Sequence, residues 1–164
     1  MRNLMIMRHG KSDWDSDAQS DHARPLANRG ILSAERMGEV IRDLGTIPGL
    51  VISSTAVRAR ATAELARITG GWPSRLILED DLYGASPRGA LEVVERYAGD
   101  CERVMIVGHE PTWSMLIRQL TGGSCAVRTA TVADIEIHAS DWDTITSASG
   151  TLVSLLQARQ FMRS

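Results

Sequence analysis

Short apolar runs alternating with segments of helical period constrain this chain more than any other feature. Leu4 to Met7, Leu50 to Ile52, Arg75 to Leu78, Val104 to Val107 and Ala133 to Ile137 read as strands, and Leu152 to Leu156 as a weaker one. The first four are short enough for strands buried on both faces. Between them, Ala34, Met37, Ile41 and Leu44 recur along one helical face that Gly45 and Pro48 close. Trp113, Leu116, Ile117 and Leu120 repeat that signature up to Gly122-Gly123. Ser54 is placed to cap a third helix running through Ile68 to Gly70-Gly71-Trp72-Pro73. Pro87, favourable in a first turn, opens a fourth that extends to Tyr97. This order predicts a three-layer α/β/α sandwich with a mostly parallel central sheet.

At 164 residues the chain has the size of one domain, 1–164, able to bury about two-thirds of its unfolded surface. With 43% hydrophobic and 23% charged residues, it lacks the charge excess of a disordered chain. The net charge is -2, and the 18 Lys and Arg form no long run, so neither nucleic acid nor a membrane surface is expected as a partner. Cys101 and Cys125 have no metal-type spacing and read as buried thiols. Leu4 to Met7 is too short for a signal peptide or a membrane span, so a cytoplasmic protein is expected. A monomer is compatible with all of this.

Two histidines occupy equivalent places. His9 follows the first strand directly, and His109 follows Val104 to Val107 after Gly108. Ligand crevices in open α/β sheets lie outside the carboxyl ends of strands, so both imidazoles are expected to meet there. Gly10 and Gly108 let the backbone turn or come close to a ligand. Arg8 precedes His9, and Arg58 falls one turn into the helix after Leu50 to Ile52. Arg24 sits on Asp13 to Asn28, a stretch with five Asp or Asn residues and no helical period that reads as a long surface excursion. Guanidinium forks match the oxygens of a phosphoryl group, so this set suits a dianionic phosphate. Helix starts near Ser54 and Glu110-Pro111 would add peptide N–H groups. Neighbouring Arg charges disfavour protonated imidazole, leaving His9 neutral with a lone pair for attack on phosphorus.

Blander readings stand beside these. A histidine after a strand is often structural, and Arg58 could be a solvated helix residue beside Arg60. A zinc site from His9 and His109 lacks HExxH, useful Cys spacing and a third ligand. His22 and His138 read as ordinary polar residues, and the Trp113 to Leu120 stripe as core.

Met7-Arg8-His9-Gly10 together with Val107-Gly108-His109-Glu110-Pro111 resembles the histidine phosphatase superfamily, which includes the phosphoglycerate mutases. Arg8 to Trp14, Asp21-His22-Ala23-Arg24-Pro25-Leu26 and Ser53 to Ala59 narrow the resemblance to small phosphohistidine phosphatases of the SixA type, over residues 4 to about 120. The resemblance implies a phosphoglycerate mutase-like fold, His9 as nucleophile, Arg8 and Arg58 clamping the phosphoryl group, His109 as second pocket histidine and Arg24 completing the pocket. It implies no metal and no organic cofactor. One departure stands out: members acting on oxygen esters carry an acid after the third strand, and here Glu79-Asp80-Asp81 reads as a solvated turn. A leaving imidazole, with a pKa near 6.5, needs little acid help. That feature and the lack of long insertions favour a phosphohistidine presented on another protein. The alternatives are a phosphatase for small phosphate monoesters and a noncatalytic phosphate-binding module.

Overall fold

Aliphatic residues at consecutive strand positions dictate the layering, because neighbouring side chains leave a sheet on opposite faces. The computed structural model describes residues 1–163. Its elements run β1 (Arg2–Arg8), α1 (Asn28–Asp43), β2 (Leu50–Ser53), α2 (Val57–Thr69), β3 (Arg75–Leu78), α3 (Pro87–Tyr97), β4 (Arg103–Gly108), α4 (Thr112–Thr121), β5 (Val132–Ile137) and β6 (Gly150–Leu156). All six strands join one sheet in the order β3-β2-β4-β1-β5-β6. β3, β2, β4 and β1 are parallel, whereas β5 is antiparallel to β1 and to β6.

Leu4, Ile6, Val104 and Ile106 face Leu91 and Val94 of α3 and Trp113, Leu116 and Ile117 of α4. The residues between them, Met5, Met7, Met105 and Val107, face Met37 and Ile41 of α1 and Ala59, Ala63 and Ala66 of α2. Helices therefore cover both faces, and the expected α/β/α sandwich with its mostly parallel sheet is what forms. Each fully buried Leu, Ile, Val or Met side chain among them contributes about 1.5–3 kcal/mol. A charge at any of these strand positions would be buried without a partner and would strongly destabilise the packing.

The helix boundaries differ from expectation in two places. Leu44 lies past the end of α1 and is 56% exposed, because its N–H already caps the Val40 carbonyl and the helical register stops at Asp43. Ser54 does not cap α2, which begins at Val57 after Ala56. The chain continues beyond β2 in an extended course, with Ser54 N–H donating to the Val107 carbonyl (2.9 Å), so the helix starts later. Cys101 and Cys125 are half-buried rather than buried, since both lie in connections outside the core elements. The excursion expected at Asp13 to Asn28 has no helix or strand before Asn28. It is tied at its base by the Asp13 N–H to the Pro25 carbonyl (2.8 Å) and the Ala27 N–H to the Lys11 carbonyl (2.9 Å). Among the described residues, no helix is long and apolar enough to cross a membrane.

Candidate active site

Parallel register brings three strand ends level. Arg8 pairs with Gly108, and Ser53 with Val107, so His9 and His109 emerge level with each other and Ser54 one residue before them. The His9 N–H donates to the Gly108 carbonyl (3.0 Å). From the other side Ala130, in the left-handed region at φ 57, lays its N–H against the carbonyls of Arg8 (3.1 Å) and His9 (3.0 Å). The glycines serve packing. A Cβ on Gly10 would lie 2.7 Å from the Gly30 carbonyl of α1, and its N–H is directed to Thr62 Oγ1 (3.0 Å). The close approach expected of Gly10 toward a ligand is thus an approach to α1. Gly108 makes room in the same way for the Trp113 ring, whose indole N–H bonds the Met7 carbonyl (2.8 Å).

The two imidazole rings, a hundred positions apart in sequence, lie 5.3 Å apart between centroids. His9 is buried, and its Nδ1 bonds the Gly10 carbonyl (2.7 Å). A carbonyl only accepts, so Nδ1 carries the ring proton and Nε2 carries the lone pair. That lone pair meets the Arg58 Nε–H at 3.4 Å. Burial, then the charges of Arg58, Arg8 and Arg24, push the His9 pKa down to about 4. The arginine charges expected to lower it are thus the smaller cause, and desolvation is the larger. His109 is pushed down to about 3 by burial, His9 and Arg58. Its Nε2 pairs with Ser54 Oγ (2.8 Å), and its Nδ1 is buried without a partner, as is Arg8 Nε.

These groups share a cavity of ≈ 200 Å³ lined by Arg8, His9, Arg24, Arg58, His109 and Glu110, with Lys11, Ser12, Trp14 and Thr129 completing the wall. Arg58 is buried and takes no part in a solvated helix face. Arg24 is held by Ser12 Oγ (2.9 Å) and stacks beneath Trp14, 3.6 Å from the ring centroid. The peptide N–H groups expected from the helix starts are met within the chain: Val57 bonds the His22 carbonyl and Ser114 bonds Glu110 Oε1. Glu79, Asp80 and Asp81 do not line the cavity. Glu79 is largely covered, pairing with Arg96 (2.9 Å) and Tyr97 (2.7 Å), so the expected solvated turn holds only for the exposed Asp80, which accepts from Thr55 Oγ1 (2.6 Å), and Asp81.

The sequence profile of the Histidine phosphatase superfamily (branch 1) matches residues 4–83, which include His9, Arg24 and Arg58. An uncharacterized protein of Mycobacterium tuberculosis is 39% identical over 124 residues, covering 74% of this chain and 75% of its own. The chain belongs to the histidine phosphatase superfamily. Within the superfamily, a protein histidine phosphatase SixA solved in complex with tungstate superposes with a TM-score of 0.79 at 22% identity, over 98% of this chain and 99% of its own. A protein of Nakamurella multipartitia named as a phosphohistidine phosphatase SixA gives 0.75 at 27% identity over 95% of both chains. A mycobacterial glucosyl-3-phosphoglycerate phosphatase gives 0.67 at 18%, over 94% of this chain and 98% of its own. The shared fold spans members whose names carry different phosphorylated substrates.

Four residues around this superfamily site escape sequence reasoning. Ser54 fixes the second imidazole, and Trp14 covers Arg24. Tyr83 packs edge-on against both His109 (5.5 Å) and His22 (4.8 Å), so His22 borders the site rather than being an unrelated polar residue. Asp21 accepts from Arg24, Arg58 and Tyr83 together. Only the spacing of Asp21 to Arg24 within the quoted motif could have signalled it.

Proposed function

We propose that this chain is a phosphatase that transfers a phosphoryl group to His9 Nε2, and that its substrate is a phosphohistidine carried on another protein. The observation that supports this most is the hydrogen bond between His9 Nδ1 and the Gly10 carbonyl, which assigns the ring tautomer. A proton held on Nδ1 by the Gly10 carbonyl leaves a buried, neutral Nε2 lone pair among Arg8, Arg24 and Arg58. Nε2 attacks phosphorus, the bond from phosphorus to the leaving nitrogen breaks, and the departing imidazole, protonated on its other ring nitrogen, keeps the electron pair and leaves neutral. Water then attacks phosphorus, the bond to Nε2 breaks, and inorganic phosphate leaves while Nε2 regains its lone pair. The guanidinium groups face charge spread over the equatorial oxygens during each transfer. Ser54 Oγ accepts from the Ala56 N–H (3.2 Å), which frees its own proton for His109 Nε2. His109 Nδ1–H is then a donor for a phosphoryl oxygen.

The ease with which a neutral imidazole departs supports the phosphohistidine. The acids after β3 are turned to Arg96, Tyr97 and Thr55, and an imidazole leaves without them. A second reading rests on Glu110, which lines the cavity and could protonate the alkoxide of a small phosphate monoester. Rates on a phosphohistidine peptide and on a panel of sugar phosphates separate the two, and a large preference for the sugars overturns the first. His9→Ala abolishes turnover and acid-labile phosphoryl labelling of the protein. Labelling that survives in the variant excludes His9 as the nucleophile.

A further inference from the structure

Asp21 is the one acid of the surface excursion that reaches the site, and it does so from outside the cavity wall. Its Oδ1 accepts from Arg24 NH1 (2.6 Å), its Oδ2 from Arg58 NH2 (3.0 Å) and Tyr83 OH (2.6 Å), and its backbone carbonyl from Arg58 NH1 (2.7 Å). Both terminal nitrogens of Arg58 are thereby occupied on the Asp21 side, which turns Nε toward His9 Nε2 (3.4 Å). Arg24 is fixed twice, by Asp21 and by Ser12. Two guanidinium groups with long, rotamer-rich stems are thus held by a single carboxylate, and Tyr83 anchors that carboxylate to the segment after β3.

We propose that Asp21 is a positioning residue, which holds the Arg24 and Arg58 forks in the orientation that stabilises the transferring phosphoryl group while competing with a resting anion for the same two cations. The proposal rests on the phosphatase reading of the site. Its two halves act in opposite directions. Orientation lowers the barrier to transfer, because a donor displaced by about 1 Å can cost up to a hundredfold in rate. Competition weakens simple anion binding, because part of the positive charge of both guanidinium groups is already met.

Asp21→Asn keeps the shape, removes the charge and provides at most one acceptor oxygen for three donors. The expected result is a split: kcat on a phosphohistidine peptide falls about tenfold or more, while tungstate binds more tightly than to the wild type. A merely structural acid would weaken both together with a lowered melting temperature, and an idle one would change neither. Either of those patterns overturns the proposal. Tyr83→Phe, which removes one anchor of the carboxylate, gives the same split at smaller amplitude and carries the test where the Asn variant does not fold. Asp21→Glu, with the charge restored on a longer stem, recovers part of the lost kcat. A wild type that turns over no phosphoryl substrate defeats the phosphatase reading itself. In that case stronger tungstate binding by Asp21→Asn supports the hold on the arginines, and unchanged or weaker binding overturns it.

Discussion

Burying His9 among guanidinium groups should make this protein unstable toward mild acid, and the size of the effect follows from its pKa. The ordinary value of 6.5 falls to about 4 in the folded chain, mainly because burial penalises the charged ring. Between those values the unfolded chain binds a proton that the folded chain refuses, so stability declines as pH drops from 6.5 toward 4. Full protonation of the unfolded form costs about 3 kcal/mol, and about 2 kcal/mol of that is already lost between pH 7 and pH 5. That is a large share of the 5–15 kcal/mol typical of a domain. The assay is urea unfolding at pH 7 and pH 5 for the wild type and for His9→Gln. Carboxylates and His109 titrate in both proteins and cancel to first order. The wild type should lose about 2 kcal/mol more than the variant over this interval. Equal pH dependence would refute the argument, because it would mean that the ring is solvated enough to charge in place.

Arg58→Ala should lower kcat/KM by about a hundred- to a thousandfold, as loss of a preorganised donor does, and Arg58→Lys should restore little because its ammonium cannot fork; steady-state rates on an aryl phosphate check both. Ser54→Ala removes the partner of His109 Nε2, and should reduce kcat by about tenfold or more with little change in melting temperature, read by kinetics beside a thermal scan. Gly30→Ala should destabilise by more than 1 kcal/mol, on the order of an overpacked site, since the new Cβ would lie 2.1 Å from the Lys11 carbonyl. The same substitution should cut activity, because Lys11 and Gly10 adjoin His9; denaturant midpoints and turnover test the two parts.

Fold and site were legible in the sequence to different depths. Strands such as Leu4 to Met7 and Val104 to Val107 are unambiguous because both faces are apolar, and α3 matches its proline start and Tyr97 end because both signals are local. Ser54 misled for a physical reason: a serine at a strand end can cap a helix or bond a side chain across the sheet, and His109, 55 positions away, decides which. Leu44 fits the helical stripe, but the stripe says nothing of where the last turn stops. His9, His109, Arg8 and Arg58 could be placed together because strand ends in a parallel sheet converge. Asp21 could not, since its three side-chain partners come from the excursion, α2 and the segment after β3, and no periodicity links those.

Charge around the cavity narrows what the site selects. Arg8, Lys11, Arg24 and Arg58 border it, Glu110 lines it, and Asp21 is bonded to its rear. Four cations against two carboxylates leave two positive charges beside two neutral imidazoles, which matches a dianionic phosphoryl group. This match is blind to what the phosphoryl group is attached to, because every phosphorylated substrate and the released phosphate carry similar oxygens. Discrimination between substrates must therefore come from the rim, where Trp14 is 70% exposed and Lys11 is exposed. An exposed indole already stacked on Arg24 offers a flat surface to a planar leaving group and little to a sugar hydroxyl. Trp14→Ala should accordingly raise KM for a phosphohistidine peptide more than for a sugar phosphate. An equal rise for both would move the origin of specificity from the rim to Glu110.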